Sequence, residues 1–200
     1  MLTAFQNFLY TCAISFDLPV LDWIQANLKS SVMDTVMPII TGFGDAGSFW
    51  MVVSALLFIF PKTRRTGLGM AIAMMIGLIV CNVTLKPLVA RIRPYDLQAE
   101  LGVTIQLLGE RMHDFSFPSG HTIASFEAAV VMLKNSKKLG IPAMILAVLI
   151  SFSRLYLYVH YPTDVIASII LGPLFALIGD ALAGLITSKV HFGKKGKYEA

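Results

Sequence analysis

"GIPAMILAVLISFSRLYLYVHYPTDVIASIILGPLFALIGDALAGLIT", residues 140–187, is two apolar runs joined by a polar knot. The runs, roughly 140–159 and 163–187, each approach or exceed the ~20 residues that carry a helix across a bilayer. Between and within them sit Ser153, Arg154, His160 and Asp164. Lipid penalises such groups unless they pair with one another or line a wet cavity, so the knot is where function is expected.

The rest of the chain agrees with this reading. Its 200 residues are 56% hydrophobic and only 14% charged, an apolar excess that suits a bilayer better than a soluble domain. Four further runs, at roughly 32–44, 47–61, 66–88 and 119–133, give six in all. The fold class is therefore all-α, a polytopic membrane helix bundle of about six transmembrane helices. The first two runs are short for a crossing and are separated by a glycine-rich turn, "TGFGDAGS" (41–48). Residues 1–30 lack the basic start of a signal peptide and carry Trp23 among Phe, Leu and Tyr. They read as an N-terminal interfacial amphipathic segment. Residues 31–188 form the transmembrane domain and 189–200 a basic cytoplasmic tail.

Charge placement orients the bundle. With six crossings, Lys29, Lys62, Arg64, Arg65, Lys134, Lys137, Lys138, Lys189, Lys194, Lys195 and Lys197 share one face. The positive-inside rule makes that face cytoplasmic. Lys86, Arg91, Arg93, Arg111 and Arg154 fall on the other, with His121, His160 and Asp164. The net charge of +4 thus resides at helix ends rather than in a nucleic-acid-binding stripe, and no nucleic-acid partner is expected. Cys12 and Cys81 are too few and too distant for a disulfide framework or metal site.

Three stretches meet on the outward face: "KPLVARIRP" (86–94), "PSGH" (118–121) and "SRLYLYVHYPTD" (153–164). Lys86, Arg93 and Arg154 supply the charge that grips a multiply charged oxyanion. Ser119 is the expected N-cap of a helix whose first N–H groups form an anion seat, and Gly120 admits close approach. His160 and Asp164 are four apart, so the carboxylate fixes the imidazole tautomer and leaves one nitrogen free to attack. His121 comes from another helix and is placed to protonate a leaving oxygen. This inventory suits phosphoryl transfer. No carboxylate cluster stands ready for Mg2+, so neither metal nor other cofactor is expected.

K-x6-RP, PSGH and SR-x5-H-x3-D, in this order, resemble the three signature motifs of the type-2 phosphatidic acid phosphatase superfamily. Every motif position is filled: Lys86, Arg93, Pro94, Pro118, Ser119, Gly120, His121, Ser153, Arg154, His160 and Asp164. The resemblance covers roughly residues 30–187. It implies His160 as a nucleophile that forms a phosphohistidine, Asp164 as its orienter and His121 as general acid. It also implies phosphate binding by Lys86, Arg93, Ser119, Gly120 and Arg154. The expected activity is that of an integral-membrane lipid phosphatase of a bacterial inner membrane, working at its outer face. The expected partners are membrane lipids and a lipid phosphate or pyrophosphate. Undecaprenyl pyrophosphate is the leading substrate, with phosphatidylglycerophosphate or phosphatidate as the alternative. A vanadate-dependent haloperoxidase shares the pocket pattern but is soluble, and a non-catalytic transporter or sensor would not need the complete triad.

The remaining polar residues carry plainer expectations. Arg91 supports the site or touches a headgroup, and His113 and Asp114 are loop residues. Tyr156, Tyr158 and Tyr161 suit an aromatic belt at the interface. Glu127, six residues below His121, is expected as a protonated acid bonded to Asn82 or Thr84, or as a selector of substrate.

Overall fold

The computed structural model describes residues 2–189, and these are predominantly helical, with no strand among them. An N-terminal arm comprises α1 (Leu2–Cys12), a π-helical turn (Ala13–Asp17) and α2 (Leu18–Leu28). Helices α3 (Ser31–Gly42) and α4 (Ser48–Ile59) follow, separated by a 3-10 turn (Asp45–Gly47). Helix α5 (Arg64–Gly77) runs through a π-helical stretch (Leu78–Leu85) into α6 (Lys86–Val89). The short α7 (Pro94–Glu100) precedes the long connection, and α8 (Gly120–Asn135), α9 (Lys137–Tyr156) and α10 (Pro162–Lys189) complete the bundle.

Among the described residues, four helical segments are long and apolar enough to cross a membrane: Ser31–Ile59, Arg64–Glu100, Lys137–Tyr156 and Pro162–Lys189. Large apolar side chains such as Val52, Ile145, Ile170 and Leu185 point outward, as lipid contact requires. The protein is an integral membrane protein. Helix α8 has 16 residues, about 24 Å of rise, and is buried between α5, α9 and α10. Its small and apolar residues Ala128, Ala129 and Val131 pack with Trp50, Met70, Ala73 and Ala147. Trp50 Nε1 donates to Ser125 Oγ at 3.0 Å, tying α4 to α8. A Cβ on Gly179 would lie 2.6 Å from the Gly69 carbonyl oxygen, so α5 and α10 touch backbone to backbone. At the end remote from the sequence motifs, buried Asp180 accepts from Arg65 (3.2 Å), Lys134 (2.8 Å) and Asn135 (2.9 Å).

The first two expected crossings are corrected to one kinked span. Helix α3 rises only about 18 Å, too little for a bilayer, and two of its polar residues, Asp34 and Thr41, find partners at the motif end. Asp34 accepts from Tyr156 Oη at 2.6 Å, and Thr41 meets Arg154. Lys29, between α2 and α3, therefore lies at the motif end and not with Lys62, Arg64 and Arg65. Lys194, Lys195 and Lys197 lie outside the described residues.

The N-terminal arm bonds to backbone at the motif end. Gln6 Nε2 donates to Val89 O (3.0 Å) and Gln25 Nε2 to Tyr156 O (2.7 Å). Leu18, Leu21 and Ile24 pack with Tyr95, Leu97 and Tyr161, while Phe8, Tyr10, Phe16 and Trp23 stay exposed. The arm thus lies across that end of the bundle and shares its core. The expected tyrosine belt is also corrected: Tyr156, Tyr158 and Tyr161 are about 1% exposed and belong to this core. Their hydroxyl and ring partners explain why. Tyr158 Oη donates to Asp22 at 2.6 Å, and Tyr161 lies 3.7 Å beneath the Arg91 guanidinium.

Candidate active site

Lys86 opens α6, the last turn of the α5 helix. Ala90 then adopts a left-handed conformation (φ 49°), which ends the helix and redirects Arg91 and Arg93 toward the bundle axis. Arg93 is 1% exposed and its Nη1 donates to Val159 O at 2.7 Å. The same nitrogen lies 3.4 Å from His160 Nε2. A second left-handed residue, Tyr158 (φ 60°), ends α9 and turns His160 inward ahead of Pro162, the first residue of α10.

Asp164 lies behind His160, one Oδ atom 3.4 Å from Nδ1 and 3.0 Å from the Tyr161 N–H that donates to it. A carboxylate at Nδ1 keeps the hydrogen on that nitrogen and leaves the Nε2 lone pair toward Arg93. The sequence-level pairing of His160 with Asp164 is thus present in the fold. Burial pushes the His160 imidazole well below its usual pKa, and Arg93, Arg154 and Lys86 push the same way. These influences favour the neutral ring, the form in which Nε2 keeps a lone pair.

Ser119 caps α8 as expected, its hydroxyl accepting from Thr122 N. Ser119 is fully buried, and its own N–H donates to Ser168 Oγ at 2.9 Å. Ser168 in turn donates to Asp164 O (2.7 Å), so the cap also braces the start of α10. Arg154 is 4% exposed, with Nη1 on Thr41, Nη2 3.0 Å from Met112 Sδ and Nε without a partner.

A cavity of about 620 Å³ joins Lys86, Arg93, Gly120, His121 and His160. It continues between α4, α5 and α8 past Met51, Ala55, Leu68, Ala71, Met75 and Leu78 to Phe58. Ser119, Arg154 and Asp164 are not among its lining residues. Asp164 bears on it through His160, and Ser119 precedes the lining residue Gly120.

Three acidic residues that motif spacing did not single out complete the site. Asp114 bridges the cations: Oδ2 pairs with Lys86, and Oδ1 accepts from Arg93 Nη2 at 2.6 Å. Burial alone would raise the Asp114 carboxyl, but Lys86 and Arg93 outweigh it and hold the group at about 2. An incoming phosphate must share these cations with Asp114 or displace it. The loop is held in place by Tyr95 Oη, which donates to Met112 O at 2.9 Å. Asp17, from the N-terminal arm, accepts from Arg91 Nη2 (2.7 Å), whose Nη1 pairs with Asp164. Arg91 therefore supports the site from behind rather than meeting a headgroup. Asp45, from the 3-10 turn, lies 2.8 Å from His121 Nε2.

The expected bond from Glu127 to Asn82 or Thr84 is not formed. Glu127 Oε1 is buried without a partner, its carboxyl against Gly77, while Thr84 donates within its own helix to Ile79 O. Glu127 lines the shared cavity, on the apolar side of Gly120 and His121.

A family model described as PAP2 superfamily matches residues 66–184, which include all three motif stretches. The chain belongs to the PAP2 superfamily. It is 39% identical over 124 residues to an undecaprenyl-diphosphatase of Sulfolobus acidocaldarius, covering 62% of this chain and 58% of that relative's length. It is 31% identical over 157 residues to undecaprenyl-diphosphatase BcrC of Bacillus subtilis, covering 76% of this chain and 78% of the relative. The crystal structure of a Bacillus subtilis transmembrane PAP2-type phosphatidylglycerolphosphate phosphatase superposes with a TM-score of 0.70 at 25% identity. That match covers 96% of this chain and 97% of the other. The protein is a PAP2 lipid phosphatase, a hydrolase, and the all-α membrane bundle expected from its apolar runs is the fold of this family.

Proposed function

We propose that this phosphatase removes the terminal phosphate of undecaprenyl pyrophosphate at the outer face of a bacterial inner membrane, through a phosphohistidine and without metal. The observation that carries the proposal is one continuous cavity: a cationic end holding both histidines and an apolar length between α4, α5 and α8. A diphosphate suits the chemistry of the first part, and the segment of an isoprenoid chain nearest the diphosphate suits the second. In the first step His160 Nε2 attacks the terminal phosphorus, the P–O bond to the inner phosphate breaks, and His121 protonates the departing oxygen. Undecaprenyl phosphate leaves. Water, deprotonated by His121, then attacks the phosphohistidine, releases inorganic phosphate and restores His160. Lys86, Arg93, Arg154 and the α8 N-terminus offset the charge on the transferring group. The two relatives named as undecaprenyl-diphosphatases support the choice of substrate.

A panel of lipid phosphates assayed side by side in EDTA tests this. Undecaprenyl pyrophosphate should give the highest kcat/KM. Phosphatidylglycerophosphate is the second reading, favoured by the 96% coverage in the structural likeness to a phosphatase named for it. A preference for that lipid replaces the first reading, and activity that vanishes in EDTA and returns with Mg2+ overturns the metal-free mechanism.

The outer placement has its own support. Lys62, Arg64, Arg65, Lys134, Lys137 and Lys138 all lie at the end opposite the site, and the positive-inside rule makes that end cytoplasmic. In intact cells, a cysteine introduced at 104–110 should react with an impermeant thiol reagent and one at 62–63 should not. The reverse pattern turns the site inward.

A further inference from the structure

The turn at residues 44–47 does not reverse the chain between two spans. It presses against the imidazole of His121. A Cβ on Gly44 would lie 2.6 Å from His121 Cδ2 and 2.9 Å from Ile150 Cγ2, so only glycine lets the backbone come this close to the ring edge. Ala46 and Gly47 then take left-handed conformations (φ 49° and 67°). Such a conformation is rare for alanine and persists where the surroundings hold it. Between these features Asp45 Oδ1 sits 2.8 Å from His121 Nε2. Gly44, Ala46 and Gly47 line the same cavity as His121 and His160.

We propose that Asp45 is a positioning residue for proton transfer by His121. The proposal rests on His121 being the general acid. Asp45 lies outside residues 66–184 matched by the family model and in none of the three motifs. Because a carboxylate only accepts, Nε2 carries the hydrogen in this pair, and the proton delivered to the leaving oxygen resides on Nδ1. As the P–O bond breaks, that proton moves from Nδ1 to the departing oxygen. His121 is left neutral, with Nε2–H still donating to Asp45. The carboxylate fixes which nitrogen faces the reaction and offsets part of the cost that burial and Arg154 place on the doubly protonated ring. The Asp45 side chain is 66% exposed, so a purely structural pair there contributes little to stability. A structural role would also affect all substrates alike.

The test uses the purified full chain in detergent with two substrates, an alkyl lipid phosphate and an aryl phosphate. The variants are Asp45→Asn, His121→Ala and the double substitution. General acid catalysis contributes ~10²–10⁴-fold, and loss of the orienting carboxylate should remove part of it. Asp45→Asn should lower kcat for the alkyl substrate by about 10- to 100-fold, and by less than about threefold for the aryl substrate, whose oxygen leaves without a proton. Added to His121→Ala, it should cost nothing further, and vanadate inhibition should stay unchanged. Equal losses on both substrates, or an undiminished extra loss in the His121→Ala background, overturn the role of Asp45. If His121→Ala itself shows no leaving-group dependence, the acid assignment fails and this proposal with it. Dependence in His121→Ala without it in Asp45→Asn refutes Asp45 alone.

Discussion

His160→Ala should abolish turnover on every substrate and, in the same experiment, eliminate trapping of a phosphoenzyme. The expected loss in kcat is on the order of 10⁴-fold or more, the scale seen when a catalytic nucleophile is removed from a site that otherwise stays intact. Two features make the effect this large. His160 is 1% exposed and held toward its neutral form, with Nε2 directed toward the cation end of the cavity. No second nucleophile of its kind lines that end except His121, which is turned toward Asp45. Removing the ring leaves Arg93 bonded to Val159 O and Asp114, so the cation clamp persists. Vanadate or inorganic phosphate should therefore still bind the variant, with affinity reduced by far less than turnover. Trapped phosphate that survives in His160→Ala, and maps to His121, would invert the two roles.

The motif residues were legible because their spacing is local. His160 and Asp164 sit within one turn, Ser119 to His121 form a helix start, and Lys86 to Arg93 bracket a helix end. Each grouping states its own geometry before any tertiary contact is known. The helical class was legible for the same reason, since a bilayer demands long apolar runs and internal hydrogen bonding. Asp17, Asp45 and Asp114 were not legible. Each meets its charged partners 21 or more residues away: Asp17 at Arg91 (74), Asp45 at His121 (76), and Asp114 at Arg93 (21) and Lys86 (28). A lone aspartate beside glycines looks like a turn residue until the turn is folded against a histidine. The error over the first two runs has the same origin. Hydropathy reports apolar length but not whether a glycine turn reverses the chain or merely kinks it, and the polar partners of Asp34 and Thr41 decided that. The tyrosines were misplaced because aromatic residues near a membrane boundary suit an interfacial belt and a buried cap equally well, and only their hydroxyl partners distinguish the two.

The most consequential of these long-range contacts is the ion pairing around Arg91, and Arg91→Met should damage folding and turnover together. The Arg91 side chain is 6% exposed, and it satisfies two carboxylates, Asp17 and Asp164, that have no exposure at all. It also donates to Thr163 Oγ1 (2.8 Å) and Leu9 O (3.1 Å) while stacking on Tyr161. Methionine retains much of the length and apolar body but none of the charge, so packing loss is small and the electrostatic loss dominates. Breaking one partner out of a buried ionic group typically costs about 3–5 kcal/mol, because the partners stay buried without compensation. Asp17 retains only Thr163, and the N-terminal arm should loosen, which accelerated proteolysis within residues 2–28 would detect. Asp164 retains the Tyr161 N–H but loses its counter-charge, so His160 loses a well-held orienter. A comparable loss of imidazole orientation in hydrolytic triads costs up to ~10⁴-fold, and a fall in kcat of about 10²–10⁴-fold is expected here. Combining Arg91→Met with Asp17→Asn separates the two consequences. Neutralising Asp17 removes one of the stranded charges and should recover part of the stability, while Asp164 remains without its arginine and kcat stays low. If kcat instead recovers along with stability, Arg91 serves only to dock the arm and its link to Asp164 has no catalytic weight.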